Sequence, residues 1–138
     1  MAKLRITAGP FTFDAQFEST AAPKTCEIFR RLLPYENKII HVRWSGEAVW
    51  IPLADLDLGL SLENHTSYPA PEQIIVYPGG LSECEILLAY GAVHFASKVG
   101  QLAGNHFMTI TSNLDKLPEL GRMVLWQGAQ TIRIEASK

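Results

Sequence analysis

Two runs of alternating apolar and polar residues open the chain. In 4–8 every second side chain is apolar, and in 11–17 aromatic and small apolar residues again alternate with polar ones. This period-two pattern is typical of strands with one buried face. Gly9-Pro10 between the runs favours a tight corner. The pattern therefore predicts an antiparallel hairpin at the start of the chain.

Two other segments have helical spacing. Pro23 lacks the N–H that the first helical position does not need, and Leu33 is followed by a proline that disfavours further helix. Between them, apolar residues recur on one helical face: Ala22, Cys26, Phe29 and Leu33. A second apolar stripe recurs at Leu114, Leu117, Leu120 and Val124. We therefore predict helices near 23–33 and 114–126.

The remaining patterned segments predict strands. They are rich in β-branched and aromatic residues or alternate with period two: 39–44, 48–51, 73–77, 85–90, 106–111 and 130–135, with weaker patterns at 60–62 and 93–95. The rest of 91–105 is predicted as a long loop, and such loops are usually functional. About eight strands favour a barrel or sandwich. Because its own side chains would fill such a barrel, a ligand would bind on the outer wall or at a mouth.

Composition narrows the classes of partner. A length of 138 residues fits one domain, 1–138, and 12 basic against 14 acidic side chains give no reason to expect a nucleic acid partner. No apolar run is long enough to cross a bilayer and the N-terminus is charged, so we expect no membrane partner and no signal peptide. Cys26 and Cys84 form no C-x-x-C pair, so reduced thiols and a cytoplasmic location are expected.

The run 22–32, Ala-Pro-Lys-Thr-Cys-Glu-Ile-Phe-Arg-Arg-Leu, resembles the first helix of cyclophilins, which plugs one end of a closed β-barrel. The run 131–135 is similar to the last cyclophilin strand. The middle, from His41 to Gly80, resembles compact bacterial cyclophilin-like proteins of unknown function. The resemblance implies a mainly β fold, namely a closed cyclophilin-like β-barrel of about eight strands with two capping α-helices.

The resemblance does not extend to the isomerase motif. Prolyl isomerases of the cyclophilin family carry an Arg on a strand followed by Phe-Met-x-Gln-Gly-Gly, and this chain has no such segment. Within the wider group, cucumopine synthase is similar in overall fold and joins an amino acid to a keto acid. It offers a precedent for small-molecule chemistry on this scaffold.

Candidate chemistry is densest in the turn 43–47. A guanidinium such as that of Arg43 can hold a carboxylate with two hydrogen bonds. Trp44 offers a flat apolar wall, and Glu47 could move a proton. The alternative is a core Trp beside a solvated Arg, with Glu47 on a hairpin turn.

A second polar cluster is the loop 63–68, which contains Glu63, His65 and Tyr68. Prolines nearby would stiffen this loop and lower the entropy cost of binding a ligand. The alternative is an ordinary surface loop with local turns.

A third cluster is the segment 104–107, at the end of the predicted long loop. The glycine at its start permits a ligand to approach the backbone. His106 could act as a base or proton shuttle, and Phe107 would contact the substrate. The alternative is a buried histidine bonded to a carbonyl group.

The segment Glu83-Cys84-Glu85 places two carboxylates at i and i+2. Paired carboxylates can raise the pKa of one member and create a general acid or base. The favoured interpretation is a solvated strand start. We expect Cys84, between two acids, to keep a high thiol pKa and to be a poor nucleophile.

These observations lead to one hypothesis and two rivals. Zinc-ligand spacing, a nucleophile elbow and a phosphate loop are all missing from the sequence, so we predict no metal and no cofactor. The leading hypothesis is a small-molecule protein with a pocket formed by 43–47, 63–68 and 100–107. Arg43 and His65 would hold an anionic group there. Trp44 and Tyr68 would form its walls. Glu47 or His106 would move a proton, with Glu63 and Phe107 also contacting the ligand.

The first rival is a prolyl isomerase or proline-peptide binder, suggested by the helix at 22–32. The second is a non-catalytic module that forms a homo-oligomer through an exposed strand edge.

Overall fold

Antiparallel strands and two α-helices account for most of the structure, a computed structural model that describes residues 3–137. The strands are β1 Lys3–Ala8, β2 Phe11–Phe17, β3 Tyr35–His41, β4 Gly46–Pro52, β5 His65–Thr66, β6 Gln73–Tyr77, β7 Glu85–Val93, β8 Ala96–Ser97, β9 Gly100–Gln101, β10 Gly104–Ile110 and β11 Gln130–Ala136. The helices are α1 Pro23–Leu32 and α2 Leu117–Gln127, and short 3-10 turns occupy Arg43–Ser45 and Leu114–Lys116.

Eight of the strands close into a barrel. Neighbouring strands follow the order β2-β1-β11-β3-β4-β7-β6-β10, and β10 pairs back onto β2, with Met108 opposite Phe17 and Ile110 opposite Ala15. All the pairings are antiparallel. The predicted closed eight-stranded barrel with two helices is therefore confirmed. The short β5 adds to the start of β10, and β8 and β9 form a separate small hairpin.

The first helix packs its apolar stripe onto the barrel core. Phe29 lies with its ring centroid 4.7 Å from that of Phe107, and the Cys26 thiol donates to the Phe107 carbonyl at 3.3 Å. Both aromatic side chains are fully buried. The Pro23-started amphipathic pattern therefore predicted the right element and the right buried face.

A second apolar cluster lies on the outer face of the barrel wall. Successive strand residues point to opposite faces, so the inward Ile86 and Leu88 leave Leu87 on the outside, opposite Trp50 of β4. The segment 94–102, called here the covering segment, folds back over this face. Its Phe95 N–H donates to the Ser67 carbonyl at 2.7 Å, and Phe95 is fully buried in the outer cluster.

Several predicted boundaries were wrong. The strand predicted at 39–44 ends at His41, because Ser45 N–H donates back to the Val42 carbonyl at 2.9 Å and closes a 3-10 turn. The weak strands at 60–62 and 93–95 are not formed as such; β5 occurs instead at 65–66, and β7 runs on to Val93. The second helix begins as a 3-10 turn at Leu114 and becomes α-helical at Leu117.

Helices in the described part of the chain, 3–137, are all too short or too polar to cross a lipid bilayer.

Candidate functional site

Two cavities contain the polar and aromatic groups best suited to binding, and the 3-10 turn Arg43–Ser45 contributes to both. The first cavity, called here the wall pocket, has a volume of about 430 Å³ and lies on the outer face of the barrel. Its principal lining residues are Trp44, Trp50, Glu83, Glu85, Ser97 and Lys98.

Glu85 is the chemically distinctive residue of the wall pocket. It begins β7 on the outer face, opposite Pro52 of β4 and Tyr77 of β6, and only 4% of its surface is exposed. Burial, with a smaller contribution from the carboxylate of Glu83, raises the pKa of Glu85 from 4.5 to about 8. The Glu85 carboxyl group therefore holds a proton near neutral pH and can both donate and accept hydrogen bonds.

Two indole rings form the apolar part of the wall pocket. Trp50 is 7% exposed and Trp44 is 58% exposed, with ring centroids 5.7 Å apart and planes inclined at 81°. The Nε1 of Trp50 is buried and has no hydrogen-bond partner among residues 3–137. A buried N–H group without a hydrogen-bond partner destabilises the folded state. The ring of Trp44, in contrast, is largely exposed and can contact a ligand that enters the pocket.

The covering segment forms the opposite side of the wall pocket and is fastened to the turn. The Ser45 hydroxyl donates to the Ala96 carbonyl at 3.0 Å and accepts from the Ala96 N–H at 3.1 Å. These two hydrogen bonds fix the position of Ser97 and Lys98 relative to Trp44. Lys98 forms no salt bridge within the described residues, so its ammonium group is available to an anionic group.

The second cavity, called here the helix cleft, lies between the barrel and α2 and has a volume of about 450 Å³. Its polar lining residues are His41, Arg43, Glu47, Tyr90 and Arg122. The His41 Nε2 and the Tyr90 hydroxyl are 2.8 Å apart, and Glu47 accepts from the Ala92 N–H at 2.9 Å. Arg43 and Glu47 therefore lie in a different cavity from their neighbour Trp44.

Glu63 is bonded to the start of α1. Its Oε1 accepts from both the N–H and the hydroxyl of Thr25, each at 2.6 Å, where no side chain of the helix's own N-cap does so. Asn105, which is fully buried, accepts from the Glu63 N–H at 3.0 Å and donates to the Thr25 hydroxyl at 3.2 Å. Capping of this kind stabilises a helix by about 1 kcal/mol, so the structure gives Glu63 a clear role in folding.

His65 and Tyr68 lie on the surface near β10. His65 is opposite Asn105 in the β5–β10 pair and is exposed. The ring of Tyr68 stacks on that of His94, with centroids 4.8 Å apart and an interplanar angle of 14°. Neither residue lines the wall pocket or the helix cleft.

His106 belongs to a hydrogen-bonded chain across the closing strands β2 and β10. The Thr109 hydroxyl donates to Glu18 at 2.7 Å and lies 2.8 Å from the His106 Nε2. Because the Thr109 proton points to Glu18, Nε2 acts as the donor to the Thr109 oxygen. Burial lowers the pKa of His106, partly opposed by Glu18. Its neighbour Phe107 is fully buried in the barrel core.

The match to known proteins decides the family. A family model for proteins of unknown function, DUF3830, matches residues 4–136. The chain belongs to the DUF3830 family. No curated protein matches the chain.

Solved structures similar to this DUF3830 protein share its fold at low sequence identity. McbB in complex with tryptophan has a TM-score of 0.72 and 20% identity over 96% of this chain, which spans 44% of McbB. The hypothetical protein AF2241 from Archaeoglobus fulgidus has a TM-score of 0.64 and 13% identity, with 99% and 95% of the two chains covered. A cyclophilin-type peptidyl-prolyl cis-trans isomerase from Cryptosporidium parvum, studied with the dipeptide Ala-Pro, has a TM-score of 0.63 and 12% identity, with 99% of each chain covered. At these identities the likeness shows a cyclophilin-like fold.

The residues singled out in this DUF3830 chain are thus distributed over several places. Trp44 lies in the wall pocket, and Arg43 and Glu47 share the helix cleft. The other residues lie elsewhere: Glu63 at the α1 cap, His65 and Tyr68 on the surface, His106 half-buried on β10, and Phe107 in the core. The segments 63–66 and 104–106 are in contact, since β5 pairs with β10 and the His106 N–H donates to the Asn64 carbonyl at 3.1 Å. Their ligand-binding roles stay predictions.

Only some of the pocket residues outside the predicted site could be recognised from sequence patterns. The Glu83-x-Glu85 spacing did suggest a carboxyl group with a raised pKa, but a solvated strand start was the favoured interpretation. Burial and the neighbouring acids Glu85 and Asp57 also raise the pKa of Cys84 to about 11, as expected for a poor nucleophile. No sequence pattern indicated that Trp50 and Lys98 would line a pocket, because their place in it depends on the covering segment. Among residues 3–137, no cluster of His, Cys, Asp and Glu is suited to hold a metal ion.

Proposed function

We propose that this chain binds a free amino acid or a related carboxylic acid in the wall pocket, and that Glu85 exchanges a proton with it. The observation that carries the proposal is a nearly buried carboxyl group facing a cavity of about 430 Å³ beside two indole rings. Ligand sites are typically mostly apolar, with a few convergent polar groups and residues of perturbed pKa.

The charges of the wall pocket narrow the ligand class. Lys98 offers a cation for a carboxylate, and Glu83 offers an anion for an amine. Glu85, being protonated near neutral pH, adds little negative charge there. A zwitterion fits this set better than the purely anionic metabolite predicted from the sequence, because both of its charged groups find an opposite charge.

The shape of the pocket favours a flat apolar portion on the ligand. The exposed ring of Trp44 can stack on such a group, and aromatic pairs contribute about 0.5–1.5 kcal/mol beyond the area that they bury. The complex of McbB with tryptophan supports this choice, since a protein of similar fold is there bound to an amino acid with an indole side chain. Cucumopine synthase, which also resembles this fold, uses an amino acid as well.

The test is a binding screen with a matched pair of tryptophan variants. The full chain is titrated with the standard amino acids and a set of small aromatic and aliphatic carboxylic acids, and melting temperature and tryptophan fluorescence are recorded. We expect at least one compound to stabilise the protein. Trp44→Ala should weaken its binding about tenfold, corresponding to roughly 1.4 kcal/mol. Trp126→Ala should not, because Trp126 is 81% exposed and lies outside the pocket.

Two results would overturn the proposal. One is a flat response to the whole panel. The other is equal loss of binding in the Trp44 and Trp126 variants. A Glu85→Gln variant tests the role of the Glu85 proton. It should still bind the ligand but lose any pH dependence of binding near the pKa of Glu85.

Prolyl isomerisation and self-association stay as predictions with simpler tests. The isomerase motif is missing from the sequence, so we expect no acceleration of a proline-peptide isomerisation assay above its background rate. Light scattering of the purified chain decides whether it forms a homo-oligomer.

A further inference from the structure

The helix cleft differs in charge from the wall pocket, where the cation of Lys98 balances the anion of Glu83. Arg43 reaches it from the 3-10 turn and Arg122 reaches it from α2. Neither guanidinium forms a salt bridge within residues 3–137, whereas Arg30, Arg31 and Arg133 all do. The carboxylate of Glu47 already accepts the Ala92 N–H. Two guanidinium groups therefore face one carboxylate, and the cleft carries an excess of positive charge.

A hydrogen-bonded pair forms the polar floor of the cleft. His41 and Tyr90 share one hydrogen bond of 2.8 Å, and the His41 Nδ1 is buried without a partner among the described residues. Burial and the charge of Arg43 lower the pKa of His41, so the ring is neutral and carries one proton. If Nε2 holds that proton, it donates to the Tyr90 oxygen, and the hydroxyl proton of Tyr90 is free for another acceptor.

The floor is held in position by close helix packing. Gly121 of α2 lies directly against the Tyr90 ring, and a Cβ at this position would overlap the ring. The missing side chain lets the helix approach β7, so that Arg122, the next residue, is brought over the same cleft. Donors that are fixed before a ligand arrives lose less entropy when it binds.

We propose that the helix cleft is a binding site for a small oxyanion, a carboxylate or a phosphate group, that is separate from the wall pocket. Arg43 and Arg122 would hold the anion from two sides, and the Tyr90 hydroxyl would be the third donor. Guanidinium groups suit this task because their planar N–H groups match the oxygen pairs of carboxylates and phosphates. The site adds to the proposed function and does not depend on it.

The experiment uses the full chain with two probes, inorganic phosphate and acetate, each compared with potassium chloride at equal ionic strength. Binding is followed by calorimetry and by melting temperature. We expect one or both probes to bind and to stabilise the protein. Arg43→Gln and Arg122→Gln should each weaken binding at least tenfold. The matched control is Arg5→Gln, because Arg5 is exposed on β1 and lines neither cavity.

Each outcome has a definite consequence. Binding of phosphate alone, or of acetate alone, supports the site and selects its ligand class. A response no larger than that to chloride would overturn the proposal. So would wild-type affinity in Arg122→Gln, or an equal loss in the Arg5 control. No compound for the wall pocket is added, so a failed screen there leaves this result unaffected.

Discussion

The wall pocket and the helix cleft both contain a residue of one short turn, but their ionisable groups differ in burial and in charge. Trp44 of the turn faces the wall pocket and Arg43 faces the helix cleft. In the wall pocket a carboxyl group is nearly buried, and burial makes it keep its proton. In the helix cleft the guanidinium groups are exposed and remain unpaired within the described residues.

The contrast shows how exposure decides which chemistry a cavity can offer. Removing a charge from water without a partner costs more than neutralising it, so the buried Glu85 becomes a proton donor. A cation at the surface stays solvated and charged at little cost in free energy, so it remains available to bind an anion. The wall pocket is therefore suited to proton exchange, and the helix cleft is suited to holding an anion.

The largest expected effect comes from replacing the buried acid. Glu85 is protonated in the folded state up to about pH 8, but in the unfolded chain it loses its proton near pH 4.5. Between these values the unfolded state binds fewer protons, so stability falls as pH rises, by about 1.4 kcal/mol per unit for this group. Glu85→Gln should match the wild type near pH 4.5 and exceed it at pH 8 by on the order of 3–5 kcal/mol.

Urea unfolding at several pH values between 4.5 and 8 measures this difference. Glu83→Gln is the matched control, since Glu83 is exposed and makes the smaller contribution to the raised pKa of Glu85. That variant should keep most of the wild-type slope. Parallel pH profiles of wild type and Glu85→Gln would show that the carboxyl group is not buried as described, and the contrast between the two cavities would be lost.

The next effect concerns the floor of the helix cleft. Gly→Ala at an exposed helical position usually stabilises a protein by about 0.5–1 kcal/mol. At Gly121 the new methyl group would overlap the Tyr90 ring, and overpacking of this kind costs about 1–3 kcal/mol. Gly121→Ala should therefore destabilise the protein and weaken phosphate binding, while binding in the wall pocket is unchanged.

A double-mutant cycle separates overlap from other causes. Tyr90→Leu removes the ring, so adding Gly121→Ala in that background should be neutral or stabilising. If the cost of Gly121→Ala stays the same without the ring, the close approach of α2 to Tyr90 does not explain it.

The fold could be predicted from local pattern because its elements carry their own signals. The alternation in β1 and β2 and the proline at the start of α1 lie within single short segments. The end of β3 carried no such signal. The segment 39–44, rich in β-branched and aromatic residues, continues past His41. The turn at Arg43–Ser45 depends instead on contacts with residues about fifty positions away, such as the His94 N–H to Ser45 carbonyl bond of 2.9 Å.

The candidate site could be predicted only in part, for the same reason. Trp44 and Arg43 were recognised by residue type, but the sequence does not show that neighbouring residues of one turn face different cavities. Glu85 is unusual because it is buried beside the wall pocket, one side of which is formed by the covering segment. The position of that segment rests on the Ser45–Ala96 hydrogen bonds, which join positions 51 residues apart.

The smallest expected effect is a pKa change at one of two half-buried histidines. Burial lowers the pKa of both His41 and His106 below 6.5 in the folded state. Each is therefore expected to favour the folded state above about pH 6.5 and to lose that contribution as pH falls further. Phosphate in the helix cleft should raise the pKa of His41 alone, because an added anion favours the charged ring.

NMR titration of the histidine ring protons, with and without phosphate, measures this change. The groups that face His41 are Tyr90 from β7, Arg43 and Glu47 from the turn and β4, and Arg122 from α2. We expect its pKa to rise modestly, because the guanidinium groups offset part of the added charge. His106, whose partners are Thr109 and Glu18, should not respond. Equal shifts at both histidines would indicate general ion screening, and no shift at His41 would place the phosphate outside the cleft.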